Sequence, residues 1–326
     1  MTPRRPPEEE APLIASDPAA PDPPARLPYG PPYLIADHAA ARRGLTELRR
    51  ALAHAGVVAE AAVARPVERA GEVAAAACRR GARLLVAVGS DRLAHQVLGA
   101  LAGPDGPRWP DAVLGLAGLG RQDLAATFGL PDDPERLAGH LLGPAVFLAD
   151  LGRARWRGPD GQEATGVFAN AAELGYPAEL SSRAPGAGRA ARLRLLRAAV
   201  GALASSRSTP CRLSLDHASV EFRLAGLVVA NGQFSMARMK VAPRALPDDG
   251  RMNVLAFEGR PLTIYARSRE LYYGTHIPHP TVREYQSATV GCDTAEPLTL
   301  ALDGCRVPGG PPLSVEVLPR ALRVKV

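Results

Sequence analysis

Leu84-Leu85-Val86-Ala87-Val88-Gly89-Ser90-Asp91-Arg92-Leu93-Ala94-His95-Gln96-Val97-Leu98 is an apolar run that breaks at a glycine and resumes with apolar residues at helical spacing, Leu93, Val97, Leu98 and Leu101. It reads as strand, tight turn and helix. The turn falls at the carboxyl end of a parallel strand. There the free N–H groups and positive dipole end of the next helix favour an anion, most commonly a phosphate. This turn is poor in glycine: Ser90 and Arg92 stand where a phosphate cradle wants residues without a side chain.

The same alternation extends on both sides. Residues 33–36 read as a strand, and 39–55 as a helix with Leu45, Leu48 and Leu52 on one face and Gly56 at its end. A strand at 57–63, a helix at 67–80 stopped by Gly81, and a strand at 111–116 follow. The stretch from Ala117 leads into a helix ending at Gly129-Leu130-Pro131, and a helix at 134–142 closes the unit. Strands alternating with helices predict a doubly wound parallel sheet over 33–145.

After Gly143-Pro144 the pattern changes. Residues 146–150, 165–170, 212–215, 220–224, 227–231 and 252–257 read as strands, so a β-rich second domain spans 146–305. One helix interrupts it near 189–204. Leu193, Leu196, Val200 and Leu203 are expected as its core stripe, with Arg192, Arg194 and Arg197 forming a solvated face. The terminal segments 313–317 and 322–326 alternate like a half-buried strand. Residues 1–32 are crowded with proline and cannot bury enough apolar surface to offset their ordering entropy. A disordered tail is expected.

With 326 residues, 46% of them hydrophobic, the chain can build two cores of ordinary size. The formal charge of +6 suits anionic partners, but arginine so dominates lysine (Lys240 and Lys325 are the only two) that codon usage is the simpler cause. Cys78, Cys211, Cys292 and Cys305 form no CxxC pair, which favours a reducing cytoplasm over disulfides or a zinc site. No segment reaches the ~18 to 20 consecutive apolar residues of a membrane span. The expectation is a cytoplasmic protein, at most peripheral to a membrane. The arginines are too diffuse for nucleic acid, and His276 and His279 lack a third ligand for a metal.

The order of these pieces resembles the diacylglycerol kinase and sphingosine kinase family of lipid kinases, whose bacterial members pair an NAD-kinase-like α/β domain with a β-sandwich; the resemblance implies that the end of the chain, about 306–326, returns to the first domain. Phe168-Ala169-Asn170-Ala171-Ala172-Glu173-Leu174-Gly175-Tyr176 looks like the family's F-x-N-x-x-x-x-G-f. Val229-Ala230-Asn231-Gly232, then Val241-Ala242-Pro243-Arg244-Ala245 and Asp248-Asp249-Gly250, resemble v-x-N…aP-x-A…D-D-G. Tyr273-Gly274-Thr275-His276 and Asp303-Gly304 follow in place.

The nucleotide motifs resemble the family less. Asp37-His38-Ala39-Ala40-Ala41 stands for N-P-x-S-G, and Gly89-Ser90-Asp91-Arg92-Leu93 for G-G-D-G-T. Ala117-Gly118-Leu119-Gly120-Arg121-Gln122-Asp123 stands for P-x-G-T-x-N-D, and Cys305 takes the place of the acid in D-G-E, the family's general base for the lipid hydroxyl. The resemblance thus implies nucleotide contacts at Asp37, Gly89, Ser90, Arg92, Gly118, Gly120, Arg121 and Asp123. It implies catalytic positions at Asp91, Asp303 and Cys305.

Three functions follow as expectations. The first is a degenerate lipid-kinase homologue that keeps a lipid or isoprenoid cleft and has lost phosphotransfer, since four motifs are altered and a thiol is a poor base. The second is a divergent kinase using ATP and Mg, with Arg92 and Arg121 as phosphate clamp. The third is a repurposed enzyme in which Asp91 and His95, four apart on one helix face, perform acid–base chemistry. The expected partners are a hydrophobic small molecule and, at the level of assembly, a homodimer.

Overall fold

The computed structural model describes residues 27–41, 44–119, 122–183 and 191–326. Most of the proline-rich tail (1–26), and Gly120 and Arg121 of the third turn, lie outside the described residues. The folded chain begins before Tyr33: Pro32 is buried, and Tyr29 packs against the cluster of Leu34, Leu48 and Leu52.

The first layer runs β1 (Tyr33–Ala36), α1 (His38–Ala41), α2 (Gly44–His54), β2 (Glu60–Val63), α3 (Ala70–Arg79), β3 (Leu84–Val88) and α4 (Asp91–Leu101). A small hairpin, β4 (Ala102–Gly103) and β5 (Gly106–Pro107), precedes β6 (Val113–Ala117), α5 (Asp123–Thr127) and α6 (Pro134–Leu142). β2, β1, β3 and β6 are parallel neighbours, with Tyr33 opposite Leu85 and Leu84 opposite Val113. Every residue of β3 and β6 is buried, as central strands covered on both faces require. Leu45, Leu48, Leu137 and Leu141 cover one face, and Ala74, Ala77, Val97 and Leu98 the other.

The second layer runs β7 (Val146–Arg157), β8 (Glu163–Phe168), β9 (Ala171–Gly175), α7 (Tyr176–Arg183), α8 (Ala191–Ser205), β10 (Thr209–Leu215), β11 (Ser219–Ala230) and β12 (Met252–Glu258). It continues through α9 (Pro261–Ala266), α10 (Ser268–Tyr273), β13 (Val282–Ser287), β14 (Thr289–Thr294), β15 (Leu300–Leu302), β16 (Cys305–Val307) and β17 (Gly310–Lys325). These strands pair antiparallel around a core of Phe168, Leu174, Leu213, Leu227, Val254 and Leu300. The first layer is thus an α/β layer on a parallel sheet, and the second an antiparallel, sandwich-like β domain.

Two long strands join the layers. β17 pairs antiparallel with β7 from Gly310 opposite Arg157 to Lys325 opposite Val146 and, at its far end, runs parallel to β6, Val324 opposite Leu114. The C-terminus therefore returns to the first domain. The register breaks between Leu318 and Leu322, where Arg320 is left-handed at φ 52°. The buried carboxylate of Asp150 holds this bulge, accepting the Arg320 N–H at 2.7 Å and the Gly250 N–H at 2.8 Å. Bulges bend and twist a strand, so Asp150 is placed where β17 changes sheets.

One expectation fails in α8. Its buried face is Ala198, Ala199 and Ala202; Leu193, Leu196 and Val200 point to solvent, and Leu203 is half-buried. Small residues let α8 approach α7 closely, and sequence periodicity cannot tell which of two apolar faces is the packed one. Among the described residues no helix is long and apolar enough to cross a membrane.

The end of β17 buries Leu322 and Val324, and the buried Lys325 ammonium donates to the Ala145 carbonyl at 2.6 Å. Deletion of residues 321–326 is expected to give insoluble protein on expression. Soluble, monodisperse material in size-exclusion chromatography would show that the returning strand is dispensable.

Candidate functional site

A cavity of about 270 Å³ lies where the layers meet. Ser90, Asp91 and Arg92 come from the turn into α4, and Asp123 from the start of α5. Glu173 of β9, Ser181 and Ser182 of α7, Ser235 and the Asp303-Gly304 turn line the rest. The lining is polar, where a hydrophobic lipid cleft was expected. A larger open groove on the outer strands, about 570 Å³ around Arg212, Glu221 and Asp293, contains none of these residues.

The turn between β15 and β16 explains Asp303. Leu302 pairs with Cys305, and the two residues between them have φ of 48° and 72°, the left-handed pair that Asp-Gly supplies in a two-residue hairpin. The Asp303 carboxylate points back into the protein. Oδ1 accepts the N–H groups of Asn170 at 2.8 Å and Ala171 at 3.1 Å, and Oδ2 accepts that of Ala169 at 3.1 Å. Nδ1 of His95, on α4, lies 3.0 Å from Oδ2. Asp303 is thus a tie between domains, its oxygens filled by backbone donors. His95 is three-quarters or more buried and is paired with Asp303, across the domain boundary; the expected Asp91–His95 couple on one helix face does not form.

Asp91 serves a different helix from its own. Ser90 caps α4 by accepting the Leu93 N–H, which frees Asp91 to accept the N–H of Asp123 at 2.8 Å and of Leu124 at 3.4 Å, at the start of α5. Burial, and then the neighbouring Asp123, push the Asp91 carboxyl well above the usual range. Asp123 accepts the Arg238 N–H at 2.6 Å, and burial raises it to about 6.

The first nucleotide turn is filled by the chain itself. Oδ2 of Asp37 accepts the Ser90 N–H at 3.0 Å, and Oδ1 accepts the Ala40 N–H at 2.8 Å. Gly89 has φ 142°, and a Cβ there would sit 2.5 Å from the Asp37 carboxylate, so glycine is required. In the third turn a Cβ on Gly118 would meet Gln122 at 2.8 Å. Buried Gln122, which sequence reading did not single out, donates to the Ala87 carbonyl at 3.1 Å. Arg92 pairs with Glu68 and is more than half exposed, at the cavity's rim. Arg121, the other proposed clamp, and Gly120 lie outside the described residues. The amides of Ser90, Ala40, Asp123 and Leu124 thus carry carboxyl groups of the chain itself.

Two residues change roles. Cys305 is not among the residues lining the cavity, and burial, followed by the Asp303 charge, pushes its thiol up to about 12, which keeps it neutral near pH 7. Glu173 does line it. Ser181 and Ser235 each donate a hydroxyl to its carboxyl group, and burial raises it to about 8. The signal was a lone carboxylate in the otherwise apolar Ala171-Ala172-Glu173-Leu174. Ser235 opens a loop in which Met236, Ala237 and Arg238 all have φ between 52° and 67°, a left-handed run that non-glycine residues rarely sustain. His276 is buried beside the backbone of Val241 and Glu270, and the His279 ring bonds Thr281; neither reaches the cavity.

These features define a class: a two-domain, NAD-kinase-like fold with a polar cleft at its waist. Residues 171–326 match the family described as the YegS C-terminal NAD kinase beta sandwich-like domain. The chain as a whole is similar to a diacylglycerol kinase from Bacillus anthracis str. Sterne, with TM-score 0.64 at 14% identity over 91% of this chain and 97% of that one. A second structure from the same strain, assigned to the same activity, gives TM-score 0.68 at 17% identity over 90% and 94%. At these identities the likeness is one of fold. No curated protein sequence matches.

The raised Glu173 predicts a pH effect. A carboxyl whose folded value is about 8 against an ordinary 4.5 binds more protons folded than unfolded between those values, so stability falls as pH rises through that window. In thermal melts, Glu173→Gln is expected to flatten this decline and to melt above the parent at the alkaline end. Parallel curves for the two proteins would mean that Glu173 titrates normally.

Proposed function

We propose that this lipid-kinase-fold protein binds a hydroxyl-bearing head group in the cleft between its domains and does not transfer phosphate from ATP. The observation that carries the reading is the Asp37 carboxylate on the Ser90 and Ala40 amides, a negative charge where a phosphate would lie. Two unit charges about 4 Å apart near a protein surface interact by roughly 4 kcal/mol, here with repulsive sign. Asp91 also occupies the α5 amides, as a carboxyl group that burial pushes toward its neutral form.

The cleft favours a neutral, hydroxylated group. Near pH 7 Glu173 is largely protonated, and with Ser181, Ser182 and Ser235 it offers both donors and acceptors for hydroxyls. A hydrocarbon portion of such a ligand stays outside the polar lining. This narrows the expected hydrophobic ligand to one with a polar head, as the diacylglycerol named for the structural neighbours has. The divergent-kinase alternative draws on one fact: Glu173 puts a carboxyl in the cavity that Cys305 does not supply.

The two readings separate on nucleotide binding. Losing three charge-assisted phosphate contacts at about 1.5 to 3 kcal/mol each moves an affinity of tens of micromolar past the millimolar range. Calorimetric titration with ATP and Mg is expected to show no saturation up to about 1 mM, and labelled ATP with diacylglycerol should leave the lipid unlabelled. Micromolar ATP binding together with a labelled lipid would replace this reading with the kinase.

A further inference from the structure

Two serines share one buried carboxyl group in the cavity. Glu173 is 1% exposed on β9, where its neighbours Ala171, Ala172 and Leu174 pack into apolar clusters. The Ser181 hydroxyl donates to its Oε2 and the Ser235 hydroxyl to its Oε1. Ser182 is turned away, its hydroxyl donating to the Ala178 carbonyl of its own helix at 2.6 Å. The two partners of Glu173 differ in access. Ser181 is half-buried near the end of α7, whereas Ser235 is 4% exposed and fixed at the start of the left-handed run of Met236, Ala237 and Arg238. Gly304 faces Ser181: a Cβ there would lie 3.9 Å from the Ser181 Cβ, so the glycine leaves the approach to this hydroxyl open.

A nucleophile hydrogen-bonded to a base, with the base oriented by a third group, is the arrangement that activates a serine hydroxyl. We infer that Ser181 is a catalytic nucleophile, with Glu173 as its base and Ser235 as the positioning residue for Glu173, in acyl transfer from a small carboxylic ester. The Ser181 Oγ attacks the ester carbonyl while the Glu173 carboxylate takes the hydroxyl proton. The bond from the carbonyl carbon to the alcohol oxygen breaks, and Glu173 returns the proton to the departing alcohol. Water then attacks the acyl-serine, giving up a proton to Glu173, which passes it to the Ser181 oxygen as the carboxylic acid leaves. An ester of a hydroxylated alcohol suits the polar lining, so the inference rests on the head-group reading for the alcohol portion alone. The chemistry at Ser181 stands whether or not ATP binds.

The working base is the ionised carboxylate. Burial holds Glu173 up at about 8 against the lowering effect of the two serine hydroxyls, and Asp123 of α5 and Asp303 of the β15–β16 turn add to the rise. Asp91 of α4, Arg92 at the rim and Cys305 of β16 also stand around it. The reaction therefore speeds up as pH rises through that value.

p-Nitrophenyl acetate with the full chain tests the inference, with phenolate release followed by absorbance and the acetyl group located by peptide mass spectrometry. A burst of phenolate and an acetyl group on Ser181 are expected, at a rate that rises about tenfold from pH 7 to pH 9 above the protein-free blank. Ser181→Ala should abolish the burst and keep the parent's melting temperature. Glu173→Gln should slow acetylation about 100-fold; if it does not fold, Ser181→Ala and the pH profile carry the test. Ser235→Ala removes a hydrogen bond that lowers Glu173, so the midpoint of the pH profile should move up, and Ser235→Thr should restore it. Wild-type protein without acetyl on Ser181, or a burst of equal size from Ser181→Ala, overturns the inference. Neither outcome bears on the ATP titration, so the two readings fail separately.

Discussion

The carboxylate of Asp303 is the point on which the arrangement of the two layers depends. It collects three consecutive backbone N–H groups, from Ala169 to Ala171, and meets His95 of α4. The first contacts fix the start of β9 against the β15–β16 hairpin; the last ties that hairpin to the parallel sheet. A carboxylate with several backbone donors resists displacement, because removing it leaves buried N–H groups unpaired at a cost of about 1 to 3 kcal/mol each. Asn231 reinforces the junction, its amide donating to the carbonyls of Asp150 and Ala169, while Asp150 holds the bulge in β17.

Around that junction one substitution of function recurs. Helix starts and tight turns have free N–H groups that must be satisfied by something. Here Asp37 serves the first turn and the start of α1, and Asp91 the start of α5. A carboxylate built into the chain does locally what a bound phosphate would do, without any ligand. The chain's own carboxyl groups therefore satisfy these amides, and the remaining cavity takes its character from Glu173 and the serines around it.

The left-handed run at Met236, Ala237 and Arg238 belongs to the same structure. Each non-glycine residue in that conformation costs roughly 1 to 2 kcal/mol, and the loop repays this with the Arg238 N–H on Asp123 and the Ser235 hydroxyl on Glu173. Backbone strain is thus held against the two carboxyl groups whose burial raises them most usefully for neutral hydrogen bonding. Both groups sit in the cavity wall.

The sequence by itself determined the alternation of strands and helices in the first layer, the change to β structure after Gly143, and the positions of the turns that matter. Those features are local: apolar periodicity, helix-stopping glycines and the Asp-Gly pair at 303–304 act over a few residues. Resemblance to the family motifs singled out Asp91, Asp123 and Asp303, and the fold brings them to one cavity. Only the tertiary structure decided what each does, because their partners lie far along the chain: His95 meets Asp303 across 208 residues, and Asp37 meets the Ser90 amide across 53. Glu173 was hidden inside a quoted motif, since a strand residue's neighbours are set by sheet pairing. The apolar face of α8 was misassigned for the same reason. Periodicity reports that a face exists, and only packing against α7 decides which face is turned away from solvent.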